Sequence, residues 1–452
     1  MTDKLKMTKA RRVALIAKYF YPNPRMAAKR AVNLYRHLNE YEGLDVEVLT
    51  ESLNREVPAA DDYPLDLTGV RYLNLQRNVL ERILARERTP FHKFLARTLF
   101  WKRLERGLAA SIERRGSLGG YDAFYISLPP FPALLRLALR LKRRWPEKKV
   151  ILEYRDEWLD GSTAYAELNR LIHRYHRGKS LYRLARHHLE NFGGEGLEKR
   201  ALRAADRIVI VGRDFREGLN RRSGGLDEKR IVWIPNGIAD DEIEELARRR
   251  RETPAPAPGP LQLVYAGSLF GTQDIRPLLR AVDSLAASGR IRPGDPRISL
   301  YGHHEQHAAD WPPRLKKLVE FRGAAPRREV FRQYFLNDLI LFLVGDWPRA
   351  ETIVTGKIYE LIESGRPLFA LLPLDKGGAA RELLEKTDAA VITDIRDEEG
   401  IGKTLLDFMR KKKEGRPLGR PRRNMDWFHE RFRYPRLCRE LYERVFAENS
   451  DQ

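Results

Sequence analysis

Short apolar runs of three to six residues recur along the chain, separated by longer stretches in which apolar residues return every three or four positions. The runs read as strands and the stretches between them as amphipathic helices. In the first half the predicted strands cover 13–17, 46–50, 123–127, 150–154, 207–211 and 231–234; in the second they cover 261–265, 297–301, 318–321, 339–343, 368–372 and 390–392. Strands that are apolar throughout, alternating with helices, predict parallel sheets covered on both faces. Six and six predict an α/β chain of two doubly wound, Rossmann-like domains facing each other across a cleft. Ligands are expected outside the carboxyl ends of the strands.

The boundary between the halves is visible in composition. After Pro235-Asn236-Gly237 comes a charged helix starting at Asp240-Asp241, then Arg248–Arg251, then a Pro/Ala-rich run over 253–260. That run is a stiff connector by composition. The expected organisation is a first domain over 1–238, a linker over 239–260, a second domain over 261–425, and a C-terminal helix over 426–452 packing back toward the first domain.

Charge and cysteine content narrow the class. Lys and Arg number 84 against 63 Asp and Glu, a formal net charge of +21, so an anionic partner is expected. Nucleic acid, an anionic membrane surface and a phosphate-bearing substrate all fit that sign. No helix-turn-helix signature, zinc pattern or aromatic RNA-binding motif accompanies the charge, so nucleic acid is not the expected partner. Two basic amphipathic stretches, 91–108 and 168–189, suit an anionic membrane face. Cys438 is the single cysteine, which excludes an intrachain disulfide and points to a reducing compartment. The basic start before 13–17 is too short in its apolar part for a signal peptide, and no run of about 20 apolar residues spans a membrane. A cytoplasmic protein, peripheral on the inner membrane face, is the expectation.

The most specific chemistry lies in 355–372, which reads as loop, short helix and buried strand. Gly356 and Lys357 open the helix, Gly365 stops it, and Pro367 prevents its continuation. A lysine beside free backbone N–H groups is an expected phosphate seat, with Glu360 one turn inward.

Taken in order, the motifs resemble the retaining, nucleotide-sugar-dependent glycosyltransferases of GT-B fold, glycosyltransferase family 4 in particular and its bacterial surface-polysaccharide branch. They are Ile16-Ala-Lys-Tyr-Phe-Tyr-Pro-Asn-Pro, Ser127-Leu-Pro-Pro-Phe-Pro, Tyr154-Arg-Asp-Glu-Trp, Ile234-Pro-Asn-Gly-Ile, Tyr265-Ala-Gly-Ser-Leu, Phe321-Arg-Gly, Thr355-Gly-Lys-Ile-Tyr-Glu with Ser364-Gly-Arg-Pro, and Gly377-Gly378. The resemblance covers nearly the whole chain. It implies that the second domain binds the donor, a UDP-sugar first among nucleotide sugars, and that the first binds a glycan or lipid-linked acceptor.

By that resemblance the donor residues are Gly267, Ser268, Gln273, Phe321, Arg322, Thr352, Thr355, Gly356, Lys357, Glu360, Gly377 and Gly378. Lys357 is the cation for the diphosphate, Glu360 the acceptor of ribose hydroxyls, and Phe321-Arg322 the nucleobase contact. The acceptor residues are Asn23, Arg25, Met26, Arg155, Asp156 and Trp158, with Arg155, Asp156 and Lys357 carrying the reaction. The family's first motif glutamate is Thr352 here, its usual arginine after the first strand of the donor domain is Ser268, and the lysine five residues on is Gln273. A catalytically degenerate binding subunit therefore stands as the alternative, and a nucleic-acid-binding protein, on the charge alone, as the second. No metal or other cofactor is expected, since no Asp-x-Asp motif occurs. The leaving phosphate itself would take the acceptor's proton, which leaves the protein to align the reactants and stabilise the diphosphate.

Overall fold

The computed structural model describes residues 10–21, 26–51, 66–73, 118–129, 131–157, 194–269, 273–302, 304–309, 311–346, 350–352, 354–376 and 378–447. Their strands form two sheets, parallel throughout. The seven-stranded sheet has the order β3-β2-β1-β4-β5-β6-β7 and the six-stranded sheet the order β10-β9-β8-β11-β12-β13. The strands of the first are β1 (Arg11–Ala17), β2 (Leu44–Glu51), β3 (Val70–Leu73), β4 (Ala123–Leu128), β5 (Lys149–Tyr154), β6 (Arg207–Ile210) and β7 (Ile231–Trp233). Those of the second are β8 (Gln262–Ala266), β9 (Arg297–Tyr301), β10 (Val319–Gly323), β11 (Leu339–Leu343), β12 (Leu368–Leu372) and β13 (Ala390–Asp394).

Burial on both faces explains why the strands are apolar throughout rather than alternating. In β8, Leu263 and Tyr265 enter one core while Val264 and Ala266 enter the other. Likewise Leu339, Leu341 and Leu343 of β11 oppose Ile340 and Phe342, and Phe369 and Leu371 of β12 oppose Leu368, Ala370 and Leu372. Each such aliphatic side chain contributes about 1.5–3 kcal/mol on burial. The first sheet has its own core, in which Ile126, Leu134, Leu152, Leu202 and Ile210 meet.

Every apolar run expected as a strand falls on one, and β3 is added at the edge of the first sheet. Its four residues carry Arg71, which turns outward to Glu47 at 2.8 Å, so the segment lacks the continuous apolar signature of its neighbours.

The described residues divide into two units. One holds those up to 157, those from 194 to Pro235, and those from Tyr434 onward; the other is Asn236–Arg433. The chain thus leaves the first unit after Pro235, three residues before the sequence-based boundary at 238. Ile238 forms a parallel bridge with Arg433 and belongs to the second unit. Most of the expected linker is helix Asp240–Glu252, whose Leu246 joins the second unit's core. The return also differs from the expected 426, because helix Met425–Phe432 buries Phe428 and Phe432 in the second unit. Helix Tyr434–Leu441 is the part that packs on the first unit, against helix Met26–Leu38.

Candidate functional site

In the second sheet the connections run one way from β8 through β9 to β10 and the other way from β11 through β12 to β13, so the switch point lies between β8 and β11. Open α/β sheets place ligands at the carboxyl side of that point. Three adjacent strands end there in glycine with positive φ: Gly267 at +152°, Gly302 at +138° and Gly323 at +69°. Gly267 N–H donates to the Tyr301 carbonyl at 2.9 Å and Gly302 N–H to the Gly323 carbonyl at 2.8 Å. A Cβ on Gly302 would run into the Gly267 carbonyl oxygen and lie 2.9 Å from His304 Nε2. The backbone packs here as closely as it can, which is what glycine permits.

Lys357 reaches this corner from the first turn of helix Lys357–Glu363. Its ammonium lies against the Cα of Gly267, where an added Cβ would overlap Nζ, and 5.2 Å from the centroid of the Tyr265 ring. Tyr265 is buried and fixed at its far end. Its hydroxyl donates to the Ser268 carbonyl at 2.9 Å and accepts from Gln273 Nε2 at 3.0 Å, and the same Nε2 donates to the Ser268 carbonyl at 3.0 Å. Gly267, Ser268, Gln273 and Lys357 are therefore gathered around one tyrosine. Burial pushes the Lys357 amine down to about 8, with Glu360 opposing the shift. Burial also pushes the Tyr265 hydroxyl up to about 12, against the Gln273 hydrogen bond. The helix itself has seven residues, so the cation rather than the macrodipole is the stronger feature.

Glu360 faces inward. Tyr334 donates to its Oε1 at 3.0 Å and Arg327 to its Oε2 at 2.7 Å, while Arg327 also pairs with Glu242. Both oxygens named for ribose hydroxyls are thus engaged within the unit. Thr352 is buried in the short turn Ala350–Thr352, and Thr355 accepts the Ile358 N–H at 3.1 Å as the helix begins. Gly356 is the N-cap residue of that helix. At the end of β10, Phe321 packs 6.1 Å from Trp311, ring to ring, while Arg322 is exposed beside Glu320. Gly378, at φ +108°, precedes helix Ala379–Lys386; Gly377 lies outside the described residues.

In the first unit, Arg155 and Asp156 follow β5 directly. Asp156 is exposed in surface terms; desolvation raises its carboxyl pKa and Arg155 opposes the rise. Asn23, Arg25 and Trp158, the side chain of Met26, and the basic stretches 91–108 and 168–189 lie outside the described residues. Two residues before Arg155, in β5, stands a group that motif reasoning missed. Glu153, wholly buried, accepts from Arg30 Nε at 2.7 Å, Tyr125 at 2.5 Å and Ser127 at 2.6 Å. Arg30 also donates to the carbonyls of Pro235 at 2.6 Å and Ile234 at 3.0 Å, where the chain leaves this unit. Desolvation alone would raise the Glu153 pKa; the Arg30 charge and the hydrogen bonds outweigh it and lower it. Among the missed residues, Tyr265 and Gly302 had a sequence signal, since Tyr265-Ala-Gly, Tyr301-Gly and Phe321-Arg-Gly each end a strand. Arg327 and Tyr334 had none.

Comparison with known proteins agrees with this architecture. Residues 27–242 match the family model described as Glycosyltransferase Family 4. No curated protein matches the chain. Among solved structures, sucrose-phosphate synthase from Thermosynechococcus elongatus is similar with a TM-score of 0.62 at 14% identity, covering 97% of this chain and 99% of that one. An alpha,alpha-trehalose-phosphate synthase (UDP-forming) from Burkholderia vietnamiensis gives 0.59 at 11% identity, with 96% and 98% covered. A glycosyltransferase from Rickettsia africae gives 0.56 at 12% identity, with 98% and 100% covered. At these identities the likeness is one of fold, and the fold is GT-B-like.

Proposed function

We propose that the protein transfers a sugar, with retention, from a nucleoside-diphosphate sugar to a hydroxyl of a lipid-linked glycan in cell-surface polysaccharide synthesis, a reading supported by the match of residues 27–242 to the Glycosyltransferase Family 4 model. The observation that carries the donor reading is Lys357. Its ammonium makes no hydrogen bond or ion pair among the described residues, and it lies on the backbone of Gly267 at the carboxyl side of the switch point. A cation with no ion pair among the described residues, in such a place, suits a diphosphate. The N–H groups of Ser268 and Gly356 are the backbone donors proposed beside it. As the sugar–phosphate bond breaks, negative charge grows on the departing diphosphate and Lys357 stabilises it more strongly than in the ground state. Arg155 and Asp156 orient the acceptor hydroxyl in this reading, with Asn23, Arg25, Met26 and Trp158 completing the acceptor side. The basic stretches 91–108 and 168–189 hold the protein at an anionic membrane face.

A second reading, a binding subunit without turnover, is favoured by the inward engagement of Glu360 and by Thr352 standing in place of the motif glutamate. Turnover separates the two. A panel of nucleotide sugars is screened by thermal shift, where a ligand at 100 times its Kd stabilises by about 2.7 kcal/mol. Binders are then assayed for transfer and slow hydrolysis. Binding without either reaction selects the second reading; no binder across the panel sinks both.

A further inference from the structure

By the resemblance to glycosyltransferase family 4 a lysine is expected at position 273, and this chain has glutamine there. Gln273 is not idle: its Nε2 holds both the Tyr265 hydroxyl and the Ser268 carbonyl, each at 3.0 Å. The centroid of the Tyr265 ring in turn lies 5.2 Å from the Lys357 ammonium. We infer that Tyr265, tethered by Gln273, is a positioning residue that holds the Lys357 ammonium against Gly267, so that one cation entering from beyond β11 replaces the one missing at 273. The inference rests on the donor reading above and adds the residues that aim its cation. A flexible lysine tip loses rotamer freedom when an anion binds; an aromatic face that already localises it lowers that cost.

The charged and titratable groups around Lys357 support the assignment. Glu360, on its own helix, is turned to Arg327 and Tyr334 and makes no contact with the ammonium. From β8 comes Tyr265, whose hydroxyl stays protonated through the neutral range. His304, beyond β9, has its ring 6.1 Å from that of Tyr265. The ring of Tyr265 is thus the contact that localises Nζ among the described residues.

The test uses the full-length protein and two independent readouts. Titration of Lys357 is followed without nucleotide by competitive amine labelling from pH 6.5 to 11, with the labelled peptide quantified by mass spectrometry. UDP, GDP and ADP affinities are measured by calorimetry. In the parent the amine is expected to titrate near pH 8. Tyr265→Leu is expected to shift that midpoint from the parental value and to weaken the best nucleotide about two- to five-fold. Tyr265→Phe keeps the ring and should restore most of both, and Gln273→Leu should fall between. The inference is overturned if Tyr265→Leu leaves midpoint and affinity at parental values. Should Tyr265→Leu fail to fold, Gln273→Leu decides, since Gln273 is half-buried in a loop: a shifted midpoint supports positioning and an unchanged one refutes it. If no nucleotide binds the parent while the Lys357 midpoint still responds to Tyr265→Leu, the donor reading falls and the positioning stands.

Discussion

Glu153 and Glu360 are both buried carboxylates held by an arginine and a tyrosine, one in each unit, yet their surroundings differ in one respect that separates scaffold from site. Around Glu153 the charges close: Arg30 meets it at 2.7 Å, Tyr125 and Ser127 donate to it as well, and two further N–H groups of Arg30 go to carbonyls. Around Glu360 they do not. Arg327 is shared by Glu360 and Glu242, and one turn away Lys357 stands with an aromatic ring and a glycine for company. A closed network resists change and asks for no ligand. An open one holds a charge that an anion can complete, at the carboxyl end of a switch point where such an anion has access.

The largest effect should come from opening the closed network. Glu153→Gln leaves the Arg30 guanidinium buried without its counter-charge and should cost about 3–5 kcal/mol of stability, read as a lowered denaturant midpoint. Lys357→Ala is the contrasting change: it removes a desolvated charge and should leave the midpoint at neutral pH at or above that of the parent. If the two variants lose equal stability, the distinction between the networks is lost.

The next effect is on nucleotide binding. Lys357→Ala removes a charge-assisted contact of about 1.5–3 kcal/mol, so the nucleoside diphosphate Kd should rise at least about tenfold and transfer should fall with it. Asp156→Asn, nearly isosteric and in the other unit, should leave that Kd within a few-fold while lowering the initial transfer rate. Normal transfer by Asp156→Asn would remove it from the acceptor side.

A gentler probe is pH. The Lys357 amine is held near 8, below its ordinary value near 10.4, so between those values the unfolded chain binds the proton and the folded chain does not. Its contribution to stability is therefore unfavourable below about pH 8 and is relieved as pH rises through that window. A diphosphate reverses the preference by favouring the charged amine. Nucleotide binding should take up a proton above pH 8 and weaken as pH rises further, and calorimetry in buffers of different ionisation enthalpy detects this. Binding that is flat from pH 7 to 9.5 would exclude Lys357 as the partner. The smallest expected effect is that of excess chelator, which should change the nucleoside diphosphate Kd by less than about two-fold if Lys357 supplies the charge.

The same contrast governs what the sequence discloses. Strands buried on both faces announce themselves as apolar runs, because each residue of β11 and β12 must enter one core or the other. β3 does not, since Arg71 at the sheet edge is as well placed toward Glu47 as an apolar residue would be toward a core. Lys357, Gly267, Ser268 and Gln273 were legible as members of ordered motifs. Tyr265 stood in one of those motifs too, but its place at their centre was not legible, because its ring meets Lys357 only once β8 and β11 lie side by side. Arg327 was beyond reach for the same reason, being 33 residues from Glu360 and on a different helix. Pairing between distant charges leaves no periodic trace. The Arg30–Glu153 pair, 123 residues apart, is the clearest case.

Helix Tyr434–Leu441 and the turn after it give the first unit its last pieces. Arg11 donates to the Phe446 carbonyl at 2.6 Å, Lys149 to the Val445 carbonyl at 2.9 Å, and Tyr41 stacks on Tyr442 at 4.5 Å. On a ribosome, then, the unit begun first is finished last. Its sheet is synthesised by Trp233, but the segment that meets the amino ends of β1 and β5 emerges only after the whole second unit, roughly 10–40 s later at ordinary elongation rates. For that interval the nascent first unit carries an uncovered flank beside helix Met26–Leu38, the stage at which a chaperone or a membrane surface has its opportunity to hold it.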